Sequence, residues 1–466
     1  MSQWADVDWS KAMNVSVDEA ILSQAVATIE NAIHNPAGGM SRFPGLTMFA
    51  AFPGQKTYLT EWNGDLYAAT DAGRLYRVSR QGVVADVTGV PISGGSRVMF
   101  DASDDRLLMA AGGPIIQLNG QRTERLSPQA PETTHVVYID GYLIAIERWS
   151  NRFQYSQPGE PEVWNAIDVF AANAKASPIH ATLVTPYREL LLAGPKHTEQ
   201  FEALPNGSQP FSRRWTTGQG VLYPYTLVTD DTGTYGVNGK HEFVRFAGQV
   251  AQDQGKNVGM LLANIDDWTD AWAASLSVDG EAHIFLQAPE ATSPYGSKGV
   301  TLLLALEDRR WSFLYGYSRD RSEVTRYPAW SFVSAWGRTF VGVPGGIATL
   351  DGMAFENLGE PSPFVIRSGH MDKFGPSRID DLRIRVKRGV GRRIDRAPLI
   401  GLRVNRDNKG FDQWQWEPLG VEGEAHTIAH FGPQGCADTW QFEIRVTDPV
   451  AVEFVSQQIR VERLSW

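Results

Sequence analysis

The feature that most constrains this chain is a turn followed by a short apolar run, met seven times between residues 55 and 355. The turns stand at Asn63-Gly64, Asp104-Asp105, Asp140-Gly141, Tyr187-Arg188, Thr232-Gly233, Asp279-Gly280 and Trp336-Gly337. The runs that follow are Leu66 to Ala69, Leu107 to Ala111, Tyr142 to Ile146, Leu190 to Ala193, Tyr235 to Val237, Ala282 to Leu286 and Thr339 to Val343. The second turn residues are 41, 36, 47, 45, 47 and 57 positions apart. Turn dipeptides between short apolar runs mark hairpins. A period in the forties with several strands per unit is the sequence sign of a β-propeller. Seven turn centres predict six or seven blades, and no named blade signature recurs. The last interval is long enough for an extra hairpin turning at Glu307 to Arg310. The 45 Gly and 26 Pro follow no period, as expected of many short strands joined by tight turns. Trp311, Trp330 and Trp336 sit in strand-like contexts and read as core.

Three stretches break the rhythm. In residues 1–40, Ser16-Val17-Asp18-Glu19 has the form of a helix start. Ile21, Leu22, Ala25, Ile29, Ala32 and Ile33 then recur at helical spacing, which predicts an amphipathic helix of about four turns that ends at Asn35-Pro36. Between Asn257 and Leu276, the residues Met260, Leu261, Leu262, Ile265, Trp268 and Trp272 predict a helix inserted between blades. Glu360-Pro361-Ser362-Pro363 marks a boundary. Beyond it, Leu382-Arg383-Ile384-Arg385-Val386-Lys387 reads as a strand with one basic face, and alternating strands at Trp440 to Val446 and Val452 to Val461 close the chain. The predicted fold is therefore all-β: an N-terminal arm over 1–40, a propeller body over 41–360, and an antiparallel β-sandwich over 361–466.

The formal net charge of −10 argues against a surface devoted to nucleic acid, though it leaves room for a passage through which a polyanion slides. The single cysteine, Cys436, excludes an intramolecular disulfide and suits a reducing cytoplasm. No secretory signal and no membrane-spanning run are expected. His426 and His430 lack the glutamate of a zinc-protease helix. The acid pairs Asp104-Asp105, Asp230-Asp231, Asp266-Asp267 and Asp380-Asp381 mostly fall at turns, where Asp stabilises the bend. No phosphate loop, dinucleotide fingerprint or nucleophile elbow is present. The expectation is a protein without enzymatic activity, cofactor or metal. The bases Arg383, Arg385, Lys387, Arg388, Arg392, Arg393 and Arg396 admit three readings: a solvated strand face, a subunit or adaptor interface, or contacts to DNA phosphates.

The stretch from Trp164 to Gly220 also carries a resemblance. Trp164, Ala166, Asp168 and Phe170, then Arg188-Glu189-Leu190, Gly194, Thr198-Glu199 and Pro210-Phe211, resemble an ordered motif of the packaged-DNA stabilisation proteins of short-tailed bacteriophages, which form the tail hub or nozzle. Leu191 and His197 depart from it, standing where the family often has Trp and Ser. Arg42-Phe43-Pro44-Gly45-Leu46 is similar to the turn that opens the family's body, one residue shorter. Asp279-Gly280 with Ile284-Phe285, then Arg309 and Trp311, repeat the likeness further on, and Phe442 to Val446 and Ile459 to Glu462 resemble the family's ending. The resemblance implies a structural virion protein made in the host cytoplasm and placed in the tail. It implies a homohexameric ring of about six copies below the portal adaptor. That ring closes the DNA exit, retains packaged DNA and becomes the ejection conduit. The partners implied are other copies of the chain, the adaptor ring, a tail fibre or tailspike, a tail needle or plug, and DNA passing without sequence specificity. Two alternatives stand beside it. One is a propeller enzyme that degrades polysaccharide, needing acids such as Asp140, Asp231 and Asp279 at one channel mouth. The other is a cellular propeller scaffold that binds proteins.

Overall fold

The computed structural model describes residues 3–7, 26–34, 39–103, 105–147, 149–204, 210–387, 397–420 and 427–464. Between Gly45 and Asp351 the chain forms seven four-stranded antiparallel blades. Five stand as separate sheets: blade 1 from Thr57 to Asp86, blade 2 from Met99 to Arg125, blade 3 from Val136 to Ala171, blade 4 from Ala181 to Thr217 and blade 5 from Val228 to Asp253. Blade 6, Trp272 to Phe313, begins a nine-stranded sheet, and blade 7, Ser331 to Asp351, belongs to a six-stranded one. The first strands lie side by side about one axis. Thr57–Trp62 touches both Met99–Ala102 and Ser331–Ala335, and Trp272–Val278 touches both Val228–Asp230 and Ser331–Ala335. Blades 4 and 5 meet through Ala181, Ala193, Val221, Val244 and Phe246.

The sequence repeat is the hairpin between first and second strands. Asn63-Gly64, Asp140-Gly141, Asp279-Gly280 and Trp336-Gly337 each place both residues at positive φ. That is the tight turn whose twist matches paired strands. The ring closes because Gly45–Ala51, from the N-terminal side, pairs antiparallel with Gly346–Asp351 as the fourth strand of blade 7. Gly45 is required there, since a Cβ would lie 2.4 Å from the Glu356 carbonyl oxygen.

Two helix expectations are overturned. Val26–Glu30 and Ala32–His34 are strands, while residues 16–25 lie outside the described residues. Val26, Thr28, Ile29 and Ile33 are β-branched, and neighbouring strands offer them backbone partners. Of the inserted helix only Gly259–Ala263 is α-helical, preceded by a short 3-10 turn. Asp266 and Asp267 accept backbone N–H groups in the loop that follows, and Trp272 is buried as the first residue of blade 6. The turn at Glu307 to Arg310 likewise belongs to blade 6 itself. The extra hairpin is Tyr315–Ser318 with Glu323–Arg326.

A β-sandwich completes the fold. One sheet holds Gln3–Val7, Ala32–His34, Met40–Arg42, Ser377–Lys387, Thr427–Phe431, Gly435–Ala437 and Glu453–Arg463. The other is the continuation of blade 6: Arg310–Phe313 is followed by Val26–Glu30, Phe364–Ser368, Trp440–Val446, Leu399–Arg406 and Gln415–Pro418. Trp440, Phe364, Phe442, Trp311 and Phe243 share one buried cluster, so the core runs from the sandwich through blade 6 into blade 5.

A buried arginine fixes the joint. The Arg42 guanidinium donates to the carbonyls of Asp448 at 2.6 Å, Val450 at 3.0 Å and Val446 at 2.6 Å, and burial pulls its pKa down to about 10. Arg42→Met would leave three carbonyls without that donor. The expected loss is about 3 kcal/mol, checked by denaturant unfolding; an unchanged midpoint would refute this role.

Candidate functional site

The motif residues of the Trp164 to Gly220 stretch are builders. Trp164 is buried in the seam between blades 2 and 3 and donates Nε1–H to the Pro161 carbonyl at 2.7 Å. Asp168 accepts from Gln157 at 2.7 Å and Asn165 at 2.9 Å. Arg188 sits in its turn at φ 58° and pairs with Asp140 at 2.6 Å, tying the inner hairpin of blade 4 to that of blade 3. Glu189 donates its backbone N–H to the Thr185 hydroxyl, Leu190 is core, and a Cβ on Gly194 would meet the Pro178 carbonyl at 2.2 Å. Thr198 donates to the Gln219 carbonyl. Glu199 is fully buried. Burial pushes its carboxyl up, but His197 at 3.3 Å, the Ala174 N–H at 2.9 Å and Arg213 at 3.1 Å outweigh that and hold it below the ordinary range.

Arg383, Arg385 and Lys387 alternate with buried Leu382, Ile384 and Val386 on the strand Ser377–Lys387, as the sequence pattern predicts. They do not form a bare cationic stripe. Lys387 pairs with Glu453 at 3.0 Å, Arg383 lies 3.5 Å from Asp381 and its guanidinium stands 4.1 Å over the Trp4 ring. Arg388, Arg392, Arg393, Arg396 and His426 lie outside the described residues. His430 is exposed opposite Arg383. Among the described residues no group of three or more His, Cys, Asp or Glu is placed to hold a metal ion.

The two ends of the propeller axis differ. At the hairpin end, Asp140, Asp231 and Asp279 occupy the turns of blades 3, 5 and 6. Asp140 is held by Arg188, and the neighbouring Asp230 accepts the N–H groups of Thr232 at 2.9 Å and Gly233 at 3.1 Å. Asp230 thus braces its own turn, and Asp140 ties its turn to that of blade 4.

The other end is formed by residues that lead into the first strands, roughly one per blade: Lys56, Arg97, His135, His180, Tyr225, Asp270 and Trp330. Arg97 is half-buried, its guanidinium 4.4 Å from the Trp272 ring centre and 4.9 Å from that of Tyr58, and it donates to the Trp330 carbonyl. Burial lowers its pKa to about 10, and it has no ion pair among the described residues. Lys56 pairs with Asp270 and lies 4.9 Å from the Trp330 ring, which also carries Arg326 at 4.0 Å. Tyr225 stacks on buried His135 with centroids 5.2 Å apart. Burial, reinforced by His180, pulls His135 down to about 3. His180 donates Nε2–H to the Val221 carbonyl at 2.7 Å, and burial lowers its pKa too.

Across blades 2 to 5 this end opens into a cleft of about 320 Å³. Ser96, Thr134, Glu147, Trp149, His180 and Tyr225 line it. Sequence reading missed the cleft because its residues are some forty positions apart and form no motif. The available signal was the position of Ser96, Thr134, His180 and Tyr225 just ahead of first strands; Glu147 and Trp149 follow the second strand of blade 3 and share no such signal.

No family model and no curated protein matches this chain. Among solved structures it is similar to a streptogramin B lyase (TM-score 0.41, 10% identity, covering 64% of this chain and 94% of that one). It is also similar to virginiamycin B lyase from Staphylococcus aureus (0.42, 10%, 63% and 94%) and BamB from Moraxella catarrhalis (0.38, 12%, 74% and 97%). The propeller assignment rests on the order of the sheets.

His135 gives this end a pH signature. The unfolded chain takes up a proton near the ordinary value of 6.5, and the folded ring refuses it until about 3. Stability from this residue is complete above 6.5 and is lost as pH falls, by at most about 1.4 kcal/mol per unit. His135→Phe keeps a ring against Tyr225 and removes that slope. In urea unfolding from pH 7 to pH 4, the variant is expected to gain on the parent as pH falls; parallel curves would contradict the assignment.

Proposed function

We propose that this chain is a structural virion protein, a tail hub or nozzle subunit that rings the DNA exit below the portal adaptor, retains packaged DNA and forms the ejection conduit. The observation that carries the reading is the ordered resemblance from Trp164 to Phe211, together with the load its residues bear in the fold. Trp164 fills the seam between blades 2 and 3, Arg188 bridges blades 3 and 4, and Glu199 anchors Arg213, His197 and a backbone amide inside blade 4. A conduit wall needs rigidity, and a propeller continuous with a sandwich through one sheet supplies it. The acidic balance of the chain suits a lumen that DNA crosses without adhering. On this reading the sandwich edges and the face bearing Arg383, Arg385 and Lys387 meet the partners: neighbouring copies, the adaptor ring, a fibre or tailspike, and a needle or plug.

The test is electron microscopy of purified phage particles carrying a gold-labelled tag on this chain. Label at the tail vertex, in about six copies, is the expected result. Label elsewhere, or none, overturns the proposal. The competing reading, a polysaccharide-degrading propeller, requires that Asp140→Asn, Asp231→Asn and Asp279→Asn together abolish a measurable glycan cleavage; the hub reading expects no cleavage to abolish.

A further inference from the structure

The cleft at the strand-start end of the axis has the surfaces of a ligand site. Its walls come from four successive blades, each giving a polar side chain: Ser96 from blade 2, Thr134 from blade 3, His180 from blade 4 and Tyr225 from blade 5. Residue 112, on the facing loop, is a glycine. A Cβ there would lie 3.0 Å from the Ser96 hydroxyl and 3.5 Å from the Thr134 methyl, so the glycine leaves these two side chains uncrowded from behind.

Trp149 stands on the rim. The residue is 86% exposed, and its backbone has φ 59°. A non-glycine residue in that region costs about 1–2 kcal/mol, and an aromatic left in water recovers none of it by burial. Strain kept at an exposed aromatic beside a lined cleft points to a use for the ring. Glu147 lies in the same loop and is mostly buried. It accepts from Arg152 at 3.0 Å and Gln154 at 2.9 Å, so its charge is already answered. The imidazoles of His135 and His180 are held neutral by burial. The cleft is therefore polar, close to uncharged, and edged by flat apolar faces.

We propose that this cleft binds a neutral pyranose residue of a saccharide chain, its C–H face against Trp149 and its hydroxyls on Ser96, Thr134, Glu147 and His180. A pyranose combines an apolar face with a belt of hydroxyls that both donate and accept, which is the complement of this lining. A flat aromatic ligand would also stack on the indole, but its edge offers the surrounding hydroxyls and carboxylate far fewer hydrogen bonds than a sugar's belt of hydroxyls does. The volume accommodates a single sugar unit with the chain leaving over the rim past Trp149. The proposal stands independently of the tail-hub reading, and it requires binding without cleavage.

The experiment uses the full chain and four probes: maltose, cellobiose, lactose and N,N′-diacetylchitobiose. Saturation-transfer NMR identifies the bound sugar ring, and titration gives its Kd. At least one probe is expected to bind, with affinity falling about tenfold or more in Trp149→Ala and about threefold in Thr134→Val, because an aromatic platform contributes more than one hydroxyl. Trp416→Ala, which removes another exposed indole on the sandwich, is expected to leave affinity unchanged. Trp149 is exposed, so its removal should leave Tm unchanged. Absence of transfer to all four probes, or binding that survives Trp149→Ala, or an equal loss in Trp416→Ala, overturns the proposal.

Discussion

Everything outside the ring hangs on one short strand. Val26–Glu30 lies between the outer strand of blade 6 and Phe364–Ser368, parallel to the first and antiparallel to the second. The outer strand of a blade is normally an edge, with a row of unpaired backbone groups. Here that edge receives a segment from far upstream, and the sandwich grows outward from it. The parallel contact is narrow, with Glu30 facing Phe313. Neighbouring groups widen it. The Asn31 amide donates Nδ2–H to the Pro363 carbonyl at 3.0 Å and accepts from the Tyr315 N–H at 2.9 Å. Tyr295 donates to the Glu30 carboxylate at 2.5 Å, at a site where burial pushes that carboxyl above its ordinary range. A few residues further, Arg42 gathers three carbonyls of the loop after Trp440–Val446, and Gly45 starts the strand that closes the ring. Within some twenty residues the chain fastens sandwich, blade 6 and blade 7 to one another.

That arrangement decides what each end of the axis can do. The hairpin end is made of tight turns in which Asp230 is spent on its own backbone and Asp140 on Arg188. The strand-start end is made of longer connections, and these can carry side chains such as Arg97, Tyr225 and Trp149 without disturbing the ladders. Stacked aromatics and cations, with Arg97 between Tyr58 and Trp272 and both Lys56 and Arg326 against Trp330, bind blades 1, 2, 6 and 7 together there. Across the axis, blades 2 to 5 leave the cleft. One end of the propeller is thus closed by backbone chemistry and the other is open to side-chain chemistry.

How much of this was legible in the sequence follows from where each signal resides. Asn63-Gly64, Asp140-Gly141 and Asp279-Gly280 are local signals, because a two-residue turn with both φ positive restricts its own residue types. The propeller could be read from them, and with it the alternation that buries Leu382, Ile384 and Val386 beneath Arg383, Arg385 and Lys387. Val26–Glu30 could not be read, because Ile29 and Ile33 fit a helical stripe equally well and the deciding partners lie at Phe313 and Val365. The segment from Asn257 to Leu276 misled for a related reason. Its aromatics fall near helical spacing, but Trp268 stacks on Tyr223 and Trp272 enters the core between blades 6 and 7. The cleft was illegible because the apolar runs that reveal a blade are its second strands, while Ser96, Thr134, His180 and Tyr225 precede first strands and Glu147 and Trp149 lie between the second and third strands of blade 3.

The most direct test of this account is hydrogen exchange on the joining strand, followed by mass spectrometry. If Val26–Glu30 is the shared strand of one continuous sheet, peptides covering 26–34 will exchange as slowly as those covering 282–288 in blade 6 and 364–368 in the sandwich, and all three will open together as denaturant rises. Fast exchange over 26–34 while both neighbours stay protected would show that the propeller and sandwich are fastened some other way, and the account of a single welded body would fail.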